Sequence, residues 1–299
     1  MRSRLNRRAL LRGTAAAAAA LAFPAALSSA ARAAAPERLV VAGGAITEMV
    51  YRLGAEKSLV GVDTTSLYPN DTFKLPKIGY FRQLSAEGIL SLNPSLLLVT
   101  DQAGPPAALE RLRAIKLPLT VIPETLHVAD VPEKMRLVGA ALDRKAEGER
   151  QASLIRAEIE AVNAAVARLT ARPRVLFLMS ITDGRLLAGG DITAAESMIR
   201  FAGGRNAVVG STGYKPISAE AAFAADPDYI LLSDQSLEAL GGIEAMRKLP
   251  QLSGLKALRE NRVVTLDMLY LLALGPRVAH AGRDLAAALH PGATLPRFA

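Results

Sequence analysis

An internal repeat constrains this chain more than any other feature. Ser85-Ala86-Glu87, Pro94, Leu98 and Asp101-Gln102 return 133 positions later as Ser218-Ala219-Glu220, Pro227, Leu231 and Asp234-Gln235. Each copy reads as the same unit: a loop with a ligand-facing aromatic (Tyr80, Tyr214), a serine able to cap a helix, a short helix ending near the proline, and an apolar buried strand. Two lobes of one design follow, and lobes that face one another enclose a cleft in which a ligand is expected.

Around the repeat, strands and helices alternate. Arg38–Ala42, Leu59–Asp63, Leu96–Thr100 and Leu119–Ile122 read as strands of a first lobe, and Arg174–Met179 and Arg262–Leu266 as strands of a second. Alternation of this kind predicts α/β lobes of Rossmann-like type with parallel sheets, their ligands at the carboxyl ends of the strands. Gly43-Gly44, without a G-x-G-x-x-G spacing or a P-loop lysine, reads as a tight turn rather than a phosphate cradle. Between the lobes Ala152, Ile155, Ile159, Val162, Val166 and Leu169 form an apolar stripe at helical spacing. One stiff helix of ~25 residues, ~38 Å long, is expected to join the lobes. The boundaries read as residues 36–142 for the first lobe, 143–171 for the connector and 172–292 for the second lobe.

The first 33 residues differ in kind. Arg2, Arg4, Arg7, Arg8 and Arg12 precede an Ala/Leu-rich run, and Ala31-Arg32-Ala33 satisfies the small-x-small cleavage rule, so residues 1–33 read as a signal peptide with a twin-arginine-like segment at Arg7-Arg8. The run is shorter than the ~20 residues of a membrane span. Removing six arginines takes the formal charge from +8 to +2, which takes away the electrostatic argument for nucleic acid. The absence of cysteine excludes thiolate metal sites and thiol catalysis, and suits an oxidising compartment in which no disulfide is needed. These features predict a periplasmic protein.

Tyr80-Phe81-Arg82-Gln83-Leu84-Ser85-Ala86-Glu87-Gly88, Ala202-Gly203-Gly204-Arg205-Asn206, Gly213-Tyr214-Lys215-Pro216-Ile217-Ser218-Ala219-Glu220 and Gly275-Pro276-Arg277 together resemble the periplasmic haem-binding proteins of bacterial haem ABC importers. The resemblance covers essentially the whole mature chain. The lobe-and-helix architecture by itself is shared with cobalamin- and siderophore-binding relatives. The resemblance implies haem as the transported ligand, a membrane permease dimer with its ATPase as partner, and a monomeric carrier that is not an enzyme.

The residue chemistry fits that implication at several positions. A tyrosine oxygen is a hard donor suited to Fe(III), which makes Tyr80 the candidate axial ligand. Arg82, two positions on in a loop taken as extended, is expected on the same side, where it lowers the phenol pKa or pairs with a propionate. Tyr214 is expected across the cleft, on the porphyrin or in core packing, with Lys215 near a propionate. Arg277, at a helix start where the macrodipole disfavours a cation, calls for an anionic partner, either a propionate or a protein carboxylate.

His127 is the one histidine that can be placed near the cleft, where a sixth ligand is the lesser of its readings; His280 and His290 read as surface or packing residues. Some members of the family carry a histidine where Ser180-Ile181-Thr182 stands here, which leaves a second axial ligand and a two-haem stack open. Glu87 and Glu220, each two residues after its serine, serve the helix dipole or, as the resemblance implies, dock on permease arginines. No serine elbow, histidine cluster or acidic cage marks an enzyme. A carrier for a ferric siderophore or cobalamin is the rival.

Overall fold

The computed structural model describes residues 36–298; the signal-peptide reading of residues 1–33 lies outside them. The first lobe runs β1 (Leu39–Ala42), α1 (Gly44–Arg52), β2 (Leu59–Val62), α2 (Ala86–Leu90), β3 (Leu96–Thr100), α3 (Pro106–Ala114), β4 (Leu119–Ile122) and α4 (Val131–Ala141). The connector is α5 (Lys145–Ala167), 23 residues. The second lobe begins with β5 (Arg174–Thr182), β6 (Arg185–Gly189), α6 (Ala194–Phe201), β7 (Arg205–Asn206), β8 (Tyr214–Ile217), α7 (Ala219–Ala224) and β9 (Tyr229–Ser233). It closes with α8 (Asp234–Leu240), α9 (Ile243–Arg247), α10 (Lys256–Arg259), β10 (Val263–Leu266), α11 (Met268–Leu272) and α12 (Val278–Leu289).

The first sheet is parallel throughout, in the order β2-β1-β3-β4. Its central strands, Leu-Val-Val-Ala and Leu-Leu-Leu-Val-Thr, are buried at every position, as a strand covered by helices on both faces requires. The second sheet has the order β10-β9-β5-β6-β8. Its first three strands are parallel, whereas β6 and β8 are added antiparallel beyond β5. The second sheet is therefore mixed: β7 also pairs parallel with β5, so three of its five strand pairings follow the parallel reading and the two made by β6 do not.

The stripe on α5 is buried as its spacing requires: Ala152, Ile155, Ile159, Val162 and Val166 belong to one apolar cluster, with Leu169 packed against it. That cluster holds Leu39, Ile46 and Met49 of the first lobe and Phe177, Met198 and Leu285 of the second. The two lobes thus share a continuous core through the connector. Helices α4 and α5 approach so closely at a pair of glycines that a Cβ on Gly139 would lie 2.8 Å from the Cα of Gly148.

Candidate functional site

Four loops that follow strands of the first sheet turn toward the second lobe. Gly43 and Gly44 follow β1, Thr64 and Thr65 follow β2, Gln102 follows β3, and Glu124 to Leu126 follow β4. All of them line one cavity of about 510 Å3, a size typical of small-molecule sites at the carboxyl edge of a parallel sheet. The opposite wall comes from the second lobe and is largely apolar, with Met179, Ala194, Met268, Leu269 and Leu272.

Asp63, fully buried at the end of β2, ties the first loops together. Its Oδ1 accepts from the Gly43 N–H at 3.0 Å and from the Ser66 hydroxyl at 2.8 Å. Its Oδ2 accepts from the Thr65 N–H at 3.0 Å and from the Thr65 hydroxyl at 2.6 Å. Gly44 is needed there, because a Cβ would meet the Thr65 carbonyl oxygen and the Leu269 side chain, each at 2.5 Å. The glycine pair is thus a close-approach turn on the cavity wall.

Tyr80 enters the site from Gly79, whose φ of 92° lies in the left-handed region that glycine tolerates. Tyr80 is 38% exposed, and its ring meets Phe81 edge-on at 4.7 Å. The segment Phe81–Gln83 is a 3₁₀ turn rather than extended chain, so simple alternation does not set the direction of Arg82. Arg82 nonetheless lines the same cavity as Tyr80. Its guanidinium donates to the Gln102 side-chain oxygen and lies 5.1 Å from the centre of the Phe81 ring.

Tyr214 lines the cavity from the second lobe, with its ring against Phe177 at 6.2 Å. Burial pushes its phenol up, opposed by hydrogen bonding from the Ala195 backbone and Thr193. It is both a wall residue and a packing residue. Lys215, expected beside it, is exposed and does not line the cavity. Both residues sit on β8, and successive strand side chains point to opposite faces, so an inward Tyr214 sends Lys215 outward.

Of the two anionic partners open to Arg277, a propionate or a protein carboxylate, the structure supplies the carboxylate. The Arg277 Nη2 and Nε donate to the two oxygens of Glu48 at 2.7 and 2.8 Å, and its guanidinium lies 3.7 Å from the ring centre of Tyr68 and 4.8 Å from that of Tyr270. Burial raises the Glu48 carboxyl above its ordinary value even though Arg277 pulls it down. Nearby, Arg52 donates to Gln151 at 2.7 Å and to the Pro276 carbonyl at 3.0 Å. Arg277 thus joins the lobes beside the cavity rather than lining it.

None of the three histidines lines the cavity. His127, placed near the cleft by the sequence, borders a separate pocket of about 320 Å3 beside α5 and α6. His280 lies 3.9 Å from Glu158 and packs on Phe298, and His290 is buried under the Gly203 turn. Ser180 and Ile181 are ladder residues, paired with Leu187 and Leu186.

The two serines cap as the repeat predicts. The Ser85 hydroxyl accepts from the Gly88 N–H at 3.2 Å and the Ser218 hydroxyl from the Ala221 N–H at 3.1 Å. Glu87 and Glu220 are both exposed. Each carboxyl is held below the usual range by its own backbone N–H and then by the capping serine. Glu87 also pairs with Arg111 at 2.7 Å.

Sequence reasoning missed Glu124, a cavity-wall carboxylate backed at 2.8 Å by Lys134, whose side chain is only 2% exposed. The two stand ten positions apart, with β4 ending before one and α4 carrying the other, so only the fold brings them together.

The fold and cavity define a two-lobed ligand-binding protein with a stiff helical connector. Residues 39–269 match the family described as periplasmic binding protein, and the chain belongs to that family. Among solved structures it is similar to the periplasmic heme-binding protein RhuT from Roseiflexus sp. RS-1 in apo form, at 42% identity over 85% of this chain and 98% of that one, with a TM-score of 0.82. A periplasmic heme-binding protein from Pseudomonas aeruginosa is 33% identical over 88% of this chain and 95% of that one, with a TM-score of 0.81. The vitamin B12-binding protein of Vibrio parahaemolyticus is 23% identical over 82% of this chain and 86% of its own length.

Proposed function

We propose that this chain captures haem in the periplasm and delivers it, as a monomer, to an ABC-type import permease dimer driven by its ATPase. The observation that carries the reading is Tyr80, a partly exposed phenol on the wall of an interlobe cavity that Arg82 also lines. A phenolate is a hard ligand for Fe(III). Arg82 exchanges its neutral Gln102 partner for a propionate, which makes a stronger, charge-assisted bond. The Met and Leu side chains of the opposite wall cover the apolar porphyrin, and Tyr214 closes that side. Glu87 and Glu220 present one carboxylate per lobe to the permease. The higher identity to haem-binding structures than to the vitamin B12-binding relative supports haem over a corrinoid.

No helix among the described residues is long and apolar enough to cross a membrane. Titration of the mature protein with haemin tests the reading: a high-spin phenolate spectrum is expected, lost in Tyr80→Phe. Unchanged spectrum and affinity in Tyr80→Phe overturn Tyr80 as the ligand. Failure of the wild-type protein to bind haemin, with saturable binding of cyanocobalamin, shifts the reading to the corrinoid.

A further inference from the structure

The repeat carries more than a pair of carboxylates. Three residues after Glu87 stands Leu90, and three residues after Glu220, at the same offset of 133, stands Phe223. On a helix, positions three apart share a face. The burial patterns of α2 and α7 nearly coincide: Ala86, Ile89 and Ala222 are buried and Ala219 is half-buried, while the glutamate and the large apolar residue are exposed on both. Leu90 is 39% exposed and Phe223 40% exposed, and both are among the large apolar side chains that the core leaves uncovered. The Phe223 ring is fixed, because it rests on Gly254, where a Cβ would approach it to 2.6 Å.

We infer that Leu90 and Phe223 are apolar anchors which, one beside each exposed glutamate, seat the two lobes in two equivalent sockets of a two-fold membrane partner. This rests on the reading of the chain as the carrier for a dimeric permease. One exposed leucine is unremarkable on a protein surface. The same acidic-plus-apolar pair at equivalent positions of two lobes is what a partner with two equivalent sites selects, each socket pairing a cation with an apolar hollow. Anchors that become fully covered carry most of an interface's energy, while charges at the rim set encounter and register. The glutamates are therefore assigned to steering and the apolar pair to residence. The two sockets are not used identically: Glu87 must give up Arg111 to engage a partner cation, whereas Glu220 forms no ion pair among the described residues.

The chain has no cysteine, so Leu90→Cys, Phe223→Cys and the remote control Ile115→Cys each carry a single thiol for an environment-sensitive dye. On addition of the permease–ATPase complex in nanodiscs, the dyes at positions 90 and 223 should shift to the blue, and the dye at 115 should not. Leu90→Ala/Phe223→Ala should weaken binding to the complex at least tenfold, mainly by faster dissociation, with haemin affinity within twofold of wild type. Wild-type affinity for the complex in the double variant, or dyes at 90 and 223 that stay as wet as the one at 115, overturns the inference. Haemin titration of the same samples tests the carrier reading separately, since neither residue touches the cavity.

Discussion

Glu48 and Arg277, 229 positions apart in sequence, form a bidentate ion pair that closes the junction between the lobes at 2.7 and 2.8 Å. Glu48 is 5% exposed, so Arg277→Met leaves a carboxylate buried without its partner and should cost about 3 kcal/mol. Urea unfolding measures it. Glu48→Gln combined with Arg277→Met should be less destabilised than the sum of the single changes, because the two groups act as one unit.

The same pair sets a pH dependence. Burial raises the folded pKa of Glu48, so the native state binds this proton more tightly than the unfolded chain does. The contribution of Glu48 to stability is fully present below about pH 4.3, the unfolded glutamate value, and is lost as the pH climbs through the raised folded value. Stability curves of wild type and Glu48→Gln should converge at the acid end of that window and diverge above it. Parallel curves would remove Glu48 as the titrating group.

At alkaline pH the tyrosines act in the same sense. Burial and then the bond from its hydroxyl to Asp284, at 2.8 Å, hold the Tyr270 phenol above its ordinary range. Unfolded tyrosine ionises near pH 10, so the Tyr270 contribution is present below that and lost as pH rises further. Tyr270→Phe should flatten the alkaline fall in melting temperature.

Where α4 crosses α5, space for a methyl group is missing. Gly139→Ala forces a backbone shift against Gly148 and should cost about 1–3 kcal/mol, seen as a lower urea midpoint with an unchanged slope. Gly148→Ala, whose Cβ would lie 3.1 Å from the Gly139 Cα, should cost less.

A core shared by both lobes resists hinge opening. Small-angle scattering from the apo and haem-loaded forms should superimpose closely, the domain rotation being limited to small shear. A marked compaction on loading would require the cluster around Ile155 and Ile159 to break.

Local signals carried much of this structure. The strand at Leu96–Thr100, the stripe on α5 and the caps Ser85 and Ser218 were readable because each rests on residues close in sequence. The β6–β8 addition was not: Pro216 sits inside β8, where a proline argues against a strand unless it lies at a sheet edge, as it does here. At the site, Tyr80 and Arg82 are visible as a motif, whereas the 3₁₀ turn that aims them is too short to leave a periodicity that can be read. The partner of Arg277 and the Lys134 support behind Glu124 exist only through tertiary contact, and no spacing rule reaches across 229 positions.

The uninterrupted core through α5 also bears on reporter design. Cutting the chain at the connector would strip Ala152, Ile155 and Val162 of neighbours on one side, leaving two halves with matching sticky faces. Such halves should behave as a split-protein pair whose reassembly depends on each other rather than on haem, so a ligand sensor built by bisection would report concentration of fragments. Fluorophores placed on opposite lips of the intact cleft avoid that.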